Sequence, residues 1–300
     1  MDNISFMDTL SSFYKEQVRE AIRLARLETV ITEQNVYQEG VAEVLPILGK
    51  MVSDWALPGS GLFGLEHLKD LYEKAASGKS CLLLLEHYSN YDLPAFIYFL
   101  RQAGEWGQKI AEQVVAIAGR KLNEENPAVA AFASAYSRLV IIPSRALVDL
   151  DAEKDREELV RSNAINRSAM KTLNKIKYEG KLILVFPAGT RYRPWDPASK
   201  RGVREMDSYI KSFDYMSLIG INGELLHVRQ GDMLEDSLSH DVLRYTATAP
   251  ILCSQFREEA RAKAVAEGAE DLKQATVDAF MKKLDEIHEA AEIERRKDLK

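Results

Sequence analysis

Apolar side chains recur at helical spacing through residues 4–27, at Met7, Leu10, Tyr14, Val18, Ile22 and Leu24, with charges between them. That periodicity predicts an amphipathic helix. A second helix is predicted over residues 33–55, with Val41, Val44, Leu45, Leu48, Met51 and Val52 as its apolar stripe. From residue 81 the pattern changes. Unbroken apolar runs at 81–85, 114–118, 139–142 and 182–186, with one or two more inside 216–228, are too short for helices. They read as strands, and the first, 81–85, is also too apolar for a half-exposed strand, so it reads as one covered on both faces. Helical stretches alternate with them at 65–76, 92–103, 127–135 and 151–178; Asn126 caps the third, with Pro127 at its first position. From Ser254 onward Ala, Glu, Lys and Leu dominate, which predicts one or two long surface helices with a solvated charged face.

This alternation predicts an α/β fold: a mixed, largely parallel sheet flanked by helices, with a small N-terminal helical domain. The segment 58–64, Pro-Gly-Ser-Gly-Leu-Phe-Gly, formally contains the dinucleotide-binding spacing Gly-x-Gly-x-x-Gly. No apolar strand precedes it, so the strand–turn–helix setting that a pyrophosphate needs is missing. It is read as a turn into the helix at 65–76. It is also read as the boundary between a helical bundle, residues 1–57, and an α/β catalytic domain, residues 58–300.

Composition narrows the partners. A net charge of −6 argues against nucleic acid, which calls for a basic excess. Cys81 and Cys253 sit in apolar contexts without metal-ligand spacing, as in a reduced intracellular protein. The first residues lack the basic and apolar regions of a signal peptide, and no stretch approaches the ~20 apolar residues that cross a bilayer. A cytoplasmic protein, soluble or peripheral to a membrane, is expected. An amphipathic anchor in the first helix would want a basic polar face; Asp2, Asp8, Glu16, Glu20 and Glu28 favour a packed bundle instead.

Candidate chemistry gathers where the apolar runs end. The run 81–85 stops at Glu86-His87-Tyr88-Ser89-Asn90-Tyr91-Asp92, and Ser89 or Asn90 can cap the next helix. On one helix His87 and Asp92 would point ~140° apart, but in a loop turning into a helix the carboxylate can fold back onto the imidazole. A carboxylate on one ring nitrogen fixes the tautomer and leaves the other free to take a proton from a hydroxyl. The run 182–186 ends in Pro187-Ala188-Gly189-Thr190-Arg191-Tyr192-Arg193. In an extended loop Arg191 and Arg193 project to one side, and paired guanidiniums suit a phosphate. Two more runs end in cations, at Gly119-Arg120-Lys121 and Pro143-Ser144-Arg145. In a mostly parallel sheet these four loops share one border and form one site. The arrangement predicts activation of a hydroxyl on a phosphorylated substrate.

These residues resemble the glycerolipid acyltransferases. His87 and Asp92 match that family's His-x-x-x-x-Asp motif, and 186–191, Phe-Pro-Ala-Gly-Thr-Arg, looks like its Phe-Pro-Glu-Gly-Thr-Arg block, in the same order and at similar separation. Pro187-Ala188-Gly189-Thr190-Arg191-Tyr192-Arg193-Pro194 is more similar to the Pro-x-Gly-x-Arg-x-Arg-Pro of the soluble, plastid-type glycerol-3-phosphate acyltransferases, as is Pro94 two residues after Asp92. Ala188 stands where the lysophosphatidate-acylating branch usually has Glu. The resemblance covers about residues 80–230; Gly119-Arg120 and Ser144-Arg145 fit the family's intermediate blocks loosely.

The resemblance implies His87 as general base oriented by Asp92, and a phosphate held by Arg191, Arg193 and Arg145 with Ser144. It allows support from Gly189, Thr190, Asn90 and Arg120. It implies glycerol 3-phosphate as acceptor and a thioester of acyl carrier protein or coenzyme A as donor, with no metal and no organic cofactor. Two readings stand beside it: the same chemistry on lysophosphatidate, and a non-catalytic module binding phosphoanions or lipid on the same fold. Peripheral membrane contact is left open. A hydrolase reading lacks its nucleophile, since the sequence has no Gly-x-Ser-x-Gly elbow.

Overall fold

The computed structural model describes residues 13–299 apart from 26, 27, 29, 125, 149, 152 and 232–235. Much of the first predicted helix, residues 4–12 and 26–27, lies outside the described residues; within them it is α1 (Lys15–Leu24). The chain then lays down β1 (Tyr37–Gln38), a 3-10 turn at Ala42–Val44, α2 (Leu45–Trp55), β2 (Gly61–Phe63) and α3 (Leu65–Ala76). The helix expected over 33–55 is therefore a strand followed by a shorter helix. Gly40 is one reason for the break, because a Cβ there would meet the Ala135 carbonyl oxygen at 2.8 Å. Pro46 is the other, since it opens α2 in the first turn, where a missing N–H costs nothing.

Next come β3 (Cys81–Leu85), α4 (Asp92–Gln102), α5 (Gly104–Gln113), β4 (Val114–Gly119), α6 (Lys121–Glu124) and α7 (Pro127–Ser134). They are followed by β5 (Arg138–Ile141), α8 (Arg156–Ile176), β6 (Leu182–Val185), α9 (Met206–Ser212) and β7 (Tyr215–Asn222). A small hairpin of β8 (Leu226–His227) and β9 (Ser237–Leu238) precedes β10 (Arg244–Ala247), β11 (Ile251–Leu252), α10 (Cys253–Ala266) and α11 (Leu272–Asp298). Among the described residues no helix is long and apolar enough to cross a membrane.

The protein is a mixed α/β fold. Its nine-stranded sheet runs β1-β5-β4-β6-β3-β7-β10-β2, with β11 also on β7. The five central strands, β5, β4, β6, β3 and β7, are parallel; β1 is antiparallel to β5, and β10 and β11 are antiparallel to β7. β3 lies in the middle, which is why all five of its side chains are buried. They alternate between two cores. Cys81, Leu83 and Leu85 pack with Leu48 and Met51 of α2, Leu68 of α3 and Phe96 of α4. Leu82 and Leu84 pack with Ile165 of α8 and with Phe280 and Leu284 of α11. Residues before 58 are thus part of the same core and sheet as those after it. Tyr14 and Trp55 tie α1 to α2, the indole donating to the Tyr14 hydroxyl at 2.8 Å and that hydroxyl to Asp54 at 3.0 Å.

Candidate active site

Because β3, β4, β5 and β6 are mutually parallel, the four polar loops that follow them open at one border of the sheet. The β3 loop carries the histidine. His87 continues the side of Leu83 and Leu85, facing α4, while Glu86 continues the side of Leu82 and Leu84, facing α11.

A turn then folds the aspartate back. Ser89 anchors it: its hydroxyl accepts from the Tyr91 N–H at 2.9 Å and its carbonyl accepts from the Asp92 N–H at 3.3 Å. Asp92 becomes the first residue of α4, 3% exposed. Its Oδ2 accepts from His87 Nδ1 at 2.9 Å and from the N–H groups of Tyr88 and Ser89 at 2.6 and 2.9 Å. The bond to a carboxylate assigns the proton to Nδ1 and leaves the Nε2 lone pair free. The imidazole lies flat on Phe186, ring centroids 4.0 Å apart, which fixes its plane.

The β6 loop is stitched to this one. Gly189 turns with φ +63°, its N–H donating to the Phe186 carbonyl at 2.9 Å. The Tyr192 N–H donates to the His87 carbonyl at 2.7 Å. Arg191 and Arg193 flank that bond, with Cα atoms ~3.8 Å to either side of Tyr192. They do not share a target, contrary to the expectation from their spacing. Arg191 is partly buried and ion-paired with Asp236, a carboxylate with no exposed surface. A carboxylate so placed claims the nearest guanidinium. Arg193 stays half-exposed, its Nη2 donating to Thr190 Oγ1 at 3.2 Å and its Nη1 3.8 Å from Asp196.

From the β5 loop, Arg145 reaches over to donate to the Gly189 carbonyl. Its guanidinium is held below the usual arginine range, first by burial and then by the charge of Arg193. Two cations from different loops therefore face one another, a standing invitation to an anion. A cavity of about 360 Å³ opens beside them, bordered by Arg145, Ala188, Thr190, Ser199 and Arg204.

Other predicted residues are engaged elsewhere. The Ser144 hydroxyl donates to Glu205, and Arg120 donates to Glu158 of α8 at 2.5 Å. Ser89 is consumed by the turn. Asn90 is half-buried, and its side chain bonds none of the described residues. A second cavity, about 330 Å³, lies between α2 and α4, lined by Leu45, Gly49, Pro94, Ile97, Tyr98 and Arg101. Those α4 positions sit roughly 140–240° round the helix from Asp92 at 100° per residue, so this cavity opens away from His87.

One cluster had no counterpart in the sequence reading. Glu86, 4% exposed, accepts from the Tyr88 hydroxyl at 2.7 Å, from the Ile221 N–H at 2.8 Å and from His288 Nδ1 of α11 at 3.0 Å. A charged residue continuing the buried side of a strand was the available signal; its partner lies 202 positions on, beyond any local pattern. Among the described residues no group of three or more His, Cys, Asp or Glu side chains is placed to hold a metal ion. Compared with protein-family models and with curated proteins, the chain matches none.

Proposed function

We propose that the protein is an acyltransferase that moves a fatty acyl group from a thioester to the sn-1 hydroxyl of glycerol 3-phosphate. The single observation that supports this most is the bond from the Tyr192 N–H to the His87 carbonyl. It joins a carboxylate-oriented imidazole to a loop of cations, as a hydroxyl on a phosphorylated acceptor requires. The resemblance of residues 186–194 to the glycerol-3-phosphate branch supports the same acceptor.

In this reading His87 Nε2 takes the hydroxyl proton as the oxygen attacks the thioester carbonyl. The C–S bond breaks, and the proton on Nε2 passes to the departing thiolate. Asp92 holds Nδ1 and offsets the charge of the imidazolium. Arg145 and Arg193 hold the phosphate beside the 360 Å³ cavity, and Arg191 braces the Arg193 loop through its pair with the buried Asp236. Base catalysis of this kind supplies ~10²–10⁴-fold, and fixing the acceptor adds more. The donor is a thioester of acyl carrier protein or coenzyme A. The enzyme works in the cytoplasm, meeting a membrane at most at its periphery.

Transfer of a radiolabelled acyl group to glycerol 3-phosphate and, separately, to lysophosphatidate tests the proposal. Labelled lysophosphatidate from the first acceptor is the expected product. Product from lysophosphatidate alone overturns the acceptor assignment, and no transfer to either overturns the activity.

A further inference from the structure

We propose that His288, on the last helix, is a positioning residue for this reaction: through Glu86 and Tyr88 it holds the loop bearing His87 against the loop bearing Arg193. The proposal rests on the acyltransferase reading above.

The contacts form a chain from α11 to the chemistry. His288 Nδ1 reaches the buried Glu86 carboxylate at 3.0 Å, and the other Glu86 oxygen takes the Tyr88 hydroxyl at 2.7 Å. Tyr88 is the residue after His87, and its ring stands edge-on to Tyr192, centroids 6.0 Å apart. Tyr192 is the residue whose N–H holds the His87 carbonyl. His288 itself is fixed, since Asn222 of β7 donates to its backbone carbonyl at 2.9 Å and its ring lies 5.5 Å from that of Tyr88. Remove the imidazole, and Glu86 keeps only neutral donors in a buried place, where an uncompensated carboxylate is costly. Glu86 lies on the side of β3 opposite to His87, and His288 Nδ1 also lies 3.3 Å from the Tyr88 hydroxyl, so both reach the His87 loop through Tyr88.

Charge decides how firmly the chain is held. Burial lowers the affinity of the His288 imidazole for its proton, but the hydrogen bond and charge of Glu86 outweigh it. Lys200, ion-paired with Asp285 at 2.6 Å, acts against protonation and Glu292 for it. The net pKa is raised. The Tyr88 hydroxyl, pushed up by burial and by Glu86, stays a donor throughout. Glu86 therefore faces a cation below the raised His288 pKa and loses it as pH climbs through that value, which predicts a limb on the alkaline side of the kcat profile that belongs to His288.

The test uses the full chain in three forms: native, His288→Ala and His288→Gln, the last keeping an N–H donor without the charge. His288→Ala is expected to lower kcat about tenfold, the scale of a small misplacement of the base. His288→Gln, a donor without the charge, should run at every pH at the rate the native enzyme keeps once His288 has lost its proton, so that the alkaline limb disappears. An unchanged kcat in His288→Ala, or an alkaline limb that survives in His288→Gln, overturns the proposal. The imidazole titration, followed by NMR in the native chain and in Glu86→Gln, reads the pair without turnover. The His288 pKa should fall in Glu86→Gln, and a pKa that does not move overturns the proposal whether or not the protein transfers acyl groups. A native chain with a shifted titration and no transfer would instead sink the acyltransferase reading.

Discussion

Arg191 and Arg193 are separated by one residue and answer to different demands. Asp236 has no exposed surface, so Arg191→Ala would take the guanidinium away from a buried carboxylate that also accepts from the Arg229 N–H at 3.0 Å. We expect that substitution to cost ~3 kcal/mol of folding stability in chemical denaturation, as breaking a buried pair does. Arg193→Ala should leave stability unchanged and raise the KM for glycerol 3-phosphate, because its guanidinium is half-exposed and faces Arg145. The two variants separate a brace from a ligand. Asp92→Asn should lower kcat by ~10²-fold or more while the chain stays folded, since an amide cannot offset an imidazolium; single-turnover kinetics would show the loss in the chemical step. The spacing of His87 and Asp92 was legible because a turn of five residues can close on itself. The Arg191 partner was not legible, lying 45 positions away in a loop with no pattern of its own.

At the level of elements, short signals were readable where one physical cause dominates. The side chain of Asn126 accepts from the N–H groups of Ala128 and Val129, and Pro127 follows it, as the sequence predicts. Asn126→Ala should cost ~1 kcal/mol in thermal or chemical unfolding, the usual worth of such a cap. The run Cys81–Leu85 announced a central strand because five consecutive buried side chains need cover on both faces. By contrast, β1 is two residues long inside what looks like a helical stripe, and its pairing with Leu139 and Arg138 is supplied by the sheet. Tertiary context overrides periodicity there. In the Pro58–Gly64 turn, β2 was hidden for the same reason: Gly61 to Phe63 become a strand only because β10 lies beside them. Gly64 in that segment is needed for a close approach, as a Cβ there would meet the Ala247 carbonyl oxygen at 2.5 Å.

Across the whole molecule, pH acts from two directions. The His288 pKa is raised in the folded state, so its contribution to stability is fully present below the ordinary value of ~6.5 and is lost as pH rises through the raised value. Asp207 works in reverse. Burial raises its pKa, but Arg257 at 2.8 Å and Arg261 at 3.3 Å lower it further, for a net depression. Its contribution is present above the unfolded value of ~3.9 and is lost as pH falls through the folded one. Thermal unfolding against pH should therefore show a plateau falling away on both sides. His288→Gln should flatten the alkaline decline and Arg257→Ala the acid one.

The strand order has a consequence of another kind. An exposed outer strand shows a row of unpaired backbone groups to any passing chain, and long flat ones seed aggregation. Here the two outermost strands are β1 and β2, two and three residues long, and both come from the same early stretch of sequence. The long strand β7, eight residues, is kept inside. In closing off both ends of the sheet, that early stretch leaves little for a neighbouring molecule to copy.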